Sequence, residues 1–147
     1  MKKTAVIFDM DGVIFDTERV YMGIFVDVYA EYGYEMNKGI YSTLIGRDRQ
    51  SITKSLYEIY GPHFPAKEIF EKCDAGLKKA IDTGKVPMKD GALEIFRYLK
   101  NNNFKIALAT SAITERAFKQ LEQANIKNFF ILIMAFIFVF NFHFFGV

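Results

Sequence analysis

Two short apolar runs constrain this chain more than any other feature. Val6-Ile7-Phe8 closes a run beginning near Lys3, and Asp9 ends it. Phe104 to Ala109 forms the second run, and Thr110-Ser111 end it. Continuous apolar runs of this length suit strands of a parallel sheet covered on both faces. Parallel neighbours need a long crossover, and nearly all the chain between the runs reads as helix. Asp16 and Thr17 can cap a helix to about Tyr32, with Tyr21, Ile24, Phe25 and Val28 at helical spacing and Gly33 at its end. Further helices are expected over Lys38 to Ile45, over Asp48 to Tyr60 with Ile52, Leu56 and Ile59 on one face, and from Pro65 to Gly84. Asp90 can cap another, with Leu93, Phe96 and Leu99 inward. Asn101-Asn102-Asn103 makes a turn, and a last helix covers about Thr114 to Ala124. The order predicts an α/β fold: a partial Rossmann-like parallel sheet with an inserted four-helix cap. The expected divisions are 1–15 with 85–128 as α/β core, 16–84 as helical cap, and 129–147 as an apolar tail.

The chemistry concentrates at the two strand ends. Asp9 and Asp11 can share one loop at the carboxyl edge of the sheet, and Gly12 allows a tight turn there. Phosphoryl transfer needs a nucleophile, a proton donor for the leaving oxygen, and a cation over the charged oxygens. Asp9, on rigid strand backbone, fits the nucleophile, and Asp11 fits the general acid and then base. Mg2+ takes hard oxygen ligands and keeps several waters. Asp9 and the backbone carbonyl of Asp11 would supply two of its ligands. The Thr110 hydroxyl and the Ser111 N–H precede a helix start, where phosphate oxygens bind.

Asp9-Met10-Asp11-Gly12-Val13-Ile14-Phe15-Asp16-Thr17 resembles the first signature of the haloacid dehalogenase-like (HAD) hydrolases, and Leu108-Ala109-Thr110-Ser111 resembles their second motif. The helical insert resembles the cap of the subgroup containing β-phosphoglucomutases and many small phosphatases. The resemblance implies Asp9 as nucleophile and metal ligand, Asp11 as acid/base with its carbonyl on Mg2+, and Thr110 with Ser111 as phosphate binders. Gly46-Arg47-Asp48-Arg49 resembles the substrate-specificity loop, with Gly46 and Arg49 as substrate contacts. Dehalogenases of the family lack the second Asp and P-type ATPases carry Thr there, so Asp11 argues for phosphate esters. A small phosphorylated metabolite is the implied substrate.

The resemblance stops at about residue 128. The family's later Lys and acidic pair have no counterpart, since no Asp or Glu follows Glu122 and Lys127 precedes an expected strand. Phe129 to Phe140 is uncharged. Truncation or a frame shift is the leading reading; a true third strand and a membrane anchor remain alternatives, although the run is short for a span. Missing strands would leave the sheet edge uncovered. Each lost charge costs such chemistry on the order of 10^2-fold or more, so little turnover is expected of this chain alone. A non-catalytic fragment and a phosphosugar mutase stay open beside the hydrolase.

The remaining features are bland. A net charge of +2 without a basic stripe argues against nucleic acid. The single cysteine, Cys73, excludes an internal disulfide, fits a cytoplasmic setting and reads as a buried small hydrophobe. The apolar run after Lys2-Lys3 is too short for a secretory signal. His63 reads as a surface residue, and His143 has no metal-binding neighbours in sequence.

Overall fold

The computed structural model describes residues 4–135. Its elements are β1 (Ala5–Phe8), α1 (Thr17–Glu31), α2 (Lys38–Leu44), α3 (Arg49–Tyr60), α4 (Ala66–Asp82), α5 (Ala92–Asn101), β2 (Lys105–Thr110), α6 (Thr114–Gln123), a 3-10 turn (Lys127–Phe129) and β3 (Leu132–Ala135). The described residues divide into two compact units. The α/β unit takes the chain up to Glu18 and from Ala80 onward; the helical unit is Arg19–Lys79.

In the α/β unit three parallel strands lie in the order β1-β2-β3. The register sets Phe8 beside Leu108 and Thr110 beside Ala135, so the ends of β1 and β2 open on one edge of the sheet. The central strand β2 buries Ile106, Ala107, Leu108 and Thr110. Fully buried Phe96 of α5 meets Phe8 edge-on at 5.1 Å and packs near Phe129 and Phe130. On α6, Ala117 and Leu121 are buried one turn apart.

Three sequence expectations need correction here. The apolar run of β1 predicted a strand covered on both faces, but among the described residues β1 is an edge strand and Ile7 is 63% exposed. An apolar run records what a complete sheet would bury, and only the neighbours present decide what is covered. Asp90 does not cap α5. Gly91 occupies the N-cap in a left-handed conformation (φ +83°) without a side-chain cap, a backbone state that glycine adopts without Cβ strain. Third, Leu132–Ala135 is a genuine strand paired with β2, so ordered sheet continues past residue 128. The membrane-anchor reading covers 129–147, of which 136–147, with His143, lie outside the described residues. No helix among the described residues is long and apolar enough to cross a membrane.

The helical unit closes around an aromatic centre. Phe25, fully buried, meets Tyr21 (4.7 Å), Tyr29 (5.5 Å), Tyr41 (5.5 Å) and Phe70 (6.4 Å). Ile52 and Leu56 line the buried face of α3, whereas Ile59, placed on that face by periodicity, is exposed. Asp48 caps α3 by accepting from the Ser51 N–H at 2.9 Å. Cys73 is buried, and desolvation pushes its thiol up to about 12.

Candidate active site

Backbone bonds around Met10 shape the loop after β1. Its side chain is fully buried, and its carbonyl accepts from the N–H groups of Ile14 (2.9 Å) and Phe15 (3.0 Å). Gly12 turns the chain at φ +71°, and its N–H donates to the Phe15 carbonyl (2.9 Å) and the Thr17 hydroxyl (3.2 Å). The loop is therefore tied to the first turn of α1. Asp16 adds an ion pair with Lys89 Nζ at 3.3 Å.

The two aspartates of this loop occupy different environments. Asp9 is exposed, and its Oδ1 accepts from the Met10 N–H at 2.7 Å. Asp11 is partly buried, and desolvation raises its carboxyl above the usual range, with help from the neighbouring charge of Asp9. The Arg116 charge and a hydrogen bond from Thr17 oppose that rise without cancelling it. Arg116 Nη2 lies 2.5 Å from Asp11 Oδ1, and the Arg116 side chain is only 11% exposed. Two carboxyls on one loop, one exposed and one desolvated beside Arg116, can divide the roles of nucleophile and proton donor.

At the end of β2, Thr110 is 4% exposed and its hydroxyl oxygen accepts from the Ala112 N–H at 3.1 Å. That bond uses an oxygen lone pair and leaves the hydroxyl hydrogen available to donate. Ser111 is exposed beside it. The N-cap of α6 is Ile113, which provides no side-chain cap, so the amides of that first turn remain suited to an anion.

Arg116 was not singled out from the sequence. It stands in the first turn of α6 among other polar residues, Thr114, Glu115 and Lys119, and nothing in its spacing marks it. The available signal was positional: it follows the Thr110-Ser111 strand end by half a dozen residues and precedes Gln120 by one helical turn. Arg116 Nε donates to Gln120 Oε1 at 3.1 Å, which orients the guanidinium toward Asp11.

Gly46 and Arg49 belong to the helical unit. Gly46 follows α2 at φ +79°. Arg49 Nη2 pairs with Asp74 Oδ2 at 2.8 Å, and the guanidinium lies 4.3 Å from the centre of the Phe70 ring. The Tyr21 hydroxyl donates to the other oxygen of Asp74. Arg49 is thus built into the packing of its own unit, and its Nη1 is buried without a hydrogen-bond partner among the described residues.

No cluster of three or more His, Cys, Asp or Glu side chains able to hold a metal occurs among the described residues. The Asp9 carboxylate and the Asp11 backbone carbonyl could hold Mg2+, which needs only one or two protein carboxylates beside water and phosphate oxygens.

Residues 6–141 match the family model described as haloacid dehalogenase-like hydrolase. The chain belongs to the haloacid dehalogenase-like hydrolases. The HAD match runs past residue 128 into the segment containing β3. A phosphorylated carbohydrates phosphatase of Thermotoga maritima is 30% identical over 129 residues, which is 86% of this chain and 58% of that relative. The chain therefore spans little more than half of that protein. Among solved structures, a HAD family hydrolase from Deinococcus radiodurans with bound phosphate and sodium superposes with a TM-score of 0.75 at 21% identity, over 90% of this chain and 58% of that one. A HAD-hydrolase of Bacillus subtilis bound to magnesium gives a TM-score of 0.60 at 17% identity, over 90% of this chain and 65% of that one. Both likenesses establish the HAD fold.

Proposed function

We propose that this chain carries the nucleophile half of a Mg2+-dependent phosphomonoester hydrolysis site for a small phosphorylated metabolite, such as a sugar phosphate. The observation that carries this reading is the unequal pair on one loop, exposed Asp9 and desolvated Asp11. An Asp9 carboxylate oxygen attacks phosphorus, the bond from phosphorus to the ester oxygen breaks, and Asp11 gives its proton to the departing alcohol. Asp11, now a carboxylate beside Arg116, takes a proton from water. That water attacks the aspartyl-phosphate, releasing inorganic phosphate and restoring Asp9. Thr110 and the Ser111 N–H hold phosphoryl oxygens. Mg2+, held by Asp9 and the Asp11 carbonyl, would offset negative charge on the phosphate. The Thermotoga maritima relative's name supports the substrate class, and the phosphate- and magnesium-bound neighbours support the ligands.

The test is release of p-nitrophenol from p-nitrophenyl phosphate by the full chain, with Mg2+ or with a chelator, against Asp9→Asn. Turnover that requires Mg2+ and falls by about 10^2-fold or more in the variant is the expected signature of a lost nucleophile. Turnover equal in the two proteins refutes the assignment of Asp9. No turnover from either favours the non-catalytic alternative, in which the same loop binds phosphate without chemistry.

A further inference from the structure

Arg116 reaches the aspartate loop from the first turn of α6, and its surroundings leave it little freedom. Its side chain is 11% exposed, against 31% for that of Asp11. A guanidinium does not shed its proton, so a nearly buried one needs acceptors around it. Two are in place. Nη2 lies 2.5 Å from Asp11 Oδ1, and Nε donates to Gln120 Oε1 at 3.1 Å. Gln120 stands one turn further along the same helix and is 2% exposed, so packing fixes the brace itself. Bonds from two nitrogens of one rigid plane set the direction of the guanidinium as well as its place. Asp11 has no such support from its own segment, a loop that turns at Gly12. Its carboxyl is held from outside that loop, by the Thr17 hydroxyl at the start of α1 and by Arg116 of α6.

We propose that Arg116, braced by Gln120, is a positioning residue: it grips Oδ1 of Asp11 and so presents Oδ2 to the leaving oxygen of the phosphate ester. The inference rests on the assignment of Asp9 as nucleophile and Asp11 as proton donor. Arg116 only donates, so the oxygen it grips is a poor seat for a proton, and the proton passed to the departing alcohol travels from Oδ2. The Asp11 side chain keeps an open side for that oxygen, because the guanidinium approaches it from the more buried direction. In the transfer the Oδ2–H bond breaks and the alcohol O–H bond forms. The charge left on the carboxylate then lies against the guanidinium, in a charge-assisted hydrogen bond. Lysine is no equivalent here, since its single nitrogen lacks the rigid fork that meets Asp11 and Gln120 together.

The leaving group separates this role from a merely structural one. Proton donation matters most where the departing oxygen is strongly basic and little where it leaves readily. The test compares turnover of phenyl phosphate, the poorer leaving group, with that of p-nitrophenyl phosphate by the full chain in Mg2+ buffer. Arg116→Ala should lower kcat on phenyl phosphate about tenfold more than on p-nitrophenyl phosphate, with KM for both nearly unchanged. Arg116→Lys keeps the charge without the brace and should show the same selective loss to a smaller degree. Gln120→Met leaves Arg116 in place at similar side-chain volume, so it guards against a folding failure of Arg116→Ala. It too should lose more on phenyl phosphate. Equal losses on the two esters in Arg116→Ala, or no loss on either, overturn the proposal and leave the assignment of Asp9 standing. If Arg116→Ala does not fold, an unchanged ratio between the esters in Gln120→Met overturns it in the same way. A wild type inert on both esters overturns the assignment of Asp9 and Asp11, and this inference with it.

Discussion

The two units of this chain solve burial in opposite ways. The helical unit gathers Tyr21, Phe25, Tyr29, Tyr41 and Phe70 around one centre, all buried. The α/β unit buries its central strand β2 but leaves β1 as an edge, with Ile7 and Leu132 exposed on flanking strands. The difference follows from how each element satisfies its backbone. A helix completes its hydrogen bonds within itself and needs neighbours only for its apolar stripe. A strand needs neighbours for its backbone as well, so a strand paired on one side only stays open on the other. Asp9 stands at the end of that open strand, which places the proposed nucleophile on the less enclosed of the two units.

The sharpest way to break the comparison is to open the closed unit. Phe25→Ala removes the ring about which the helical unit packs and should cost roughly 3–5 kcal/mol. Of the eight tyrosines only Tyr98 lies outside that unit, so near-ultraviolet tyrosine dichroism during denaturation reads it selectively. A loss well under 1 kcal/mol would mean the aromatic centre is not the core described here.

A smaller effect is expected at Asp11. Its raised carboxyl binds a proton more tightly in the folded chain than in the unfolded one. The associated stability is present at low pH and is lost as pH rises from about 4 through the folded value. In Mg2+-free buffer, wild type should therefore lose stability relative to Asp11→Asn over that interval, by less than the Phe25 effect. A pH-independent difference between the two proteins, measured by thermal melting, would contradict desolvation as the dominant influence.

The smallest effect is expected at the open edge. Ile7→Lys alters a side chain already in solvent and should change stability by no more than about 0.5 kcal/mol. It should also reduce self-association, because a charge on an exposed edge opposes strand-to-strand pairing. Light scattering against concentration checks the second half. A large destabilisation would show that Ile7 is covered in solution.

Much of the fold was legible from local pattern. The helices appeared at helical spacing, with the asparagine turn following α5, because these features depend on residues within a turn or two. The strand ends bearing Asp9 and Thr110 were legible for the same reason. Ile59 was misplaced because periodicity names a helix face without saying how far a neighbour covers it. Arg116 and Gln120 escaped because the groups they meet are set by the docking of α6.

The amino-acid sequence by itself determined where β1 and β2 end, which acids stand there, and the family to which the chain belongs. Each depends on the order of residues along a short stretch. Only the tertiary structure decided that Arg116 reaches Asp11 across 105 positions of chain and that Arg49 is committed to Asp74. It alone left β1 at an edge and Gln120 with an unused donor. Those outcomes depend on burial and on distances between residues far apart in the chain, and both come into being only when the elements pack.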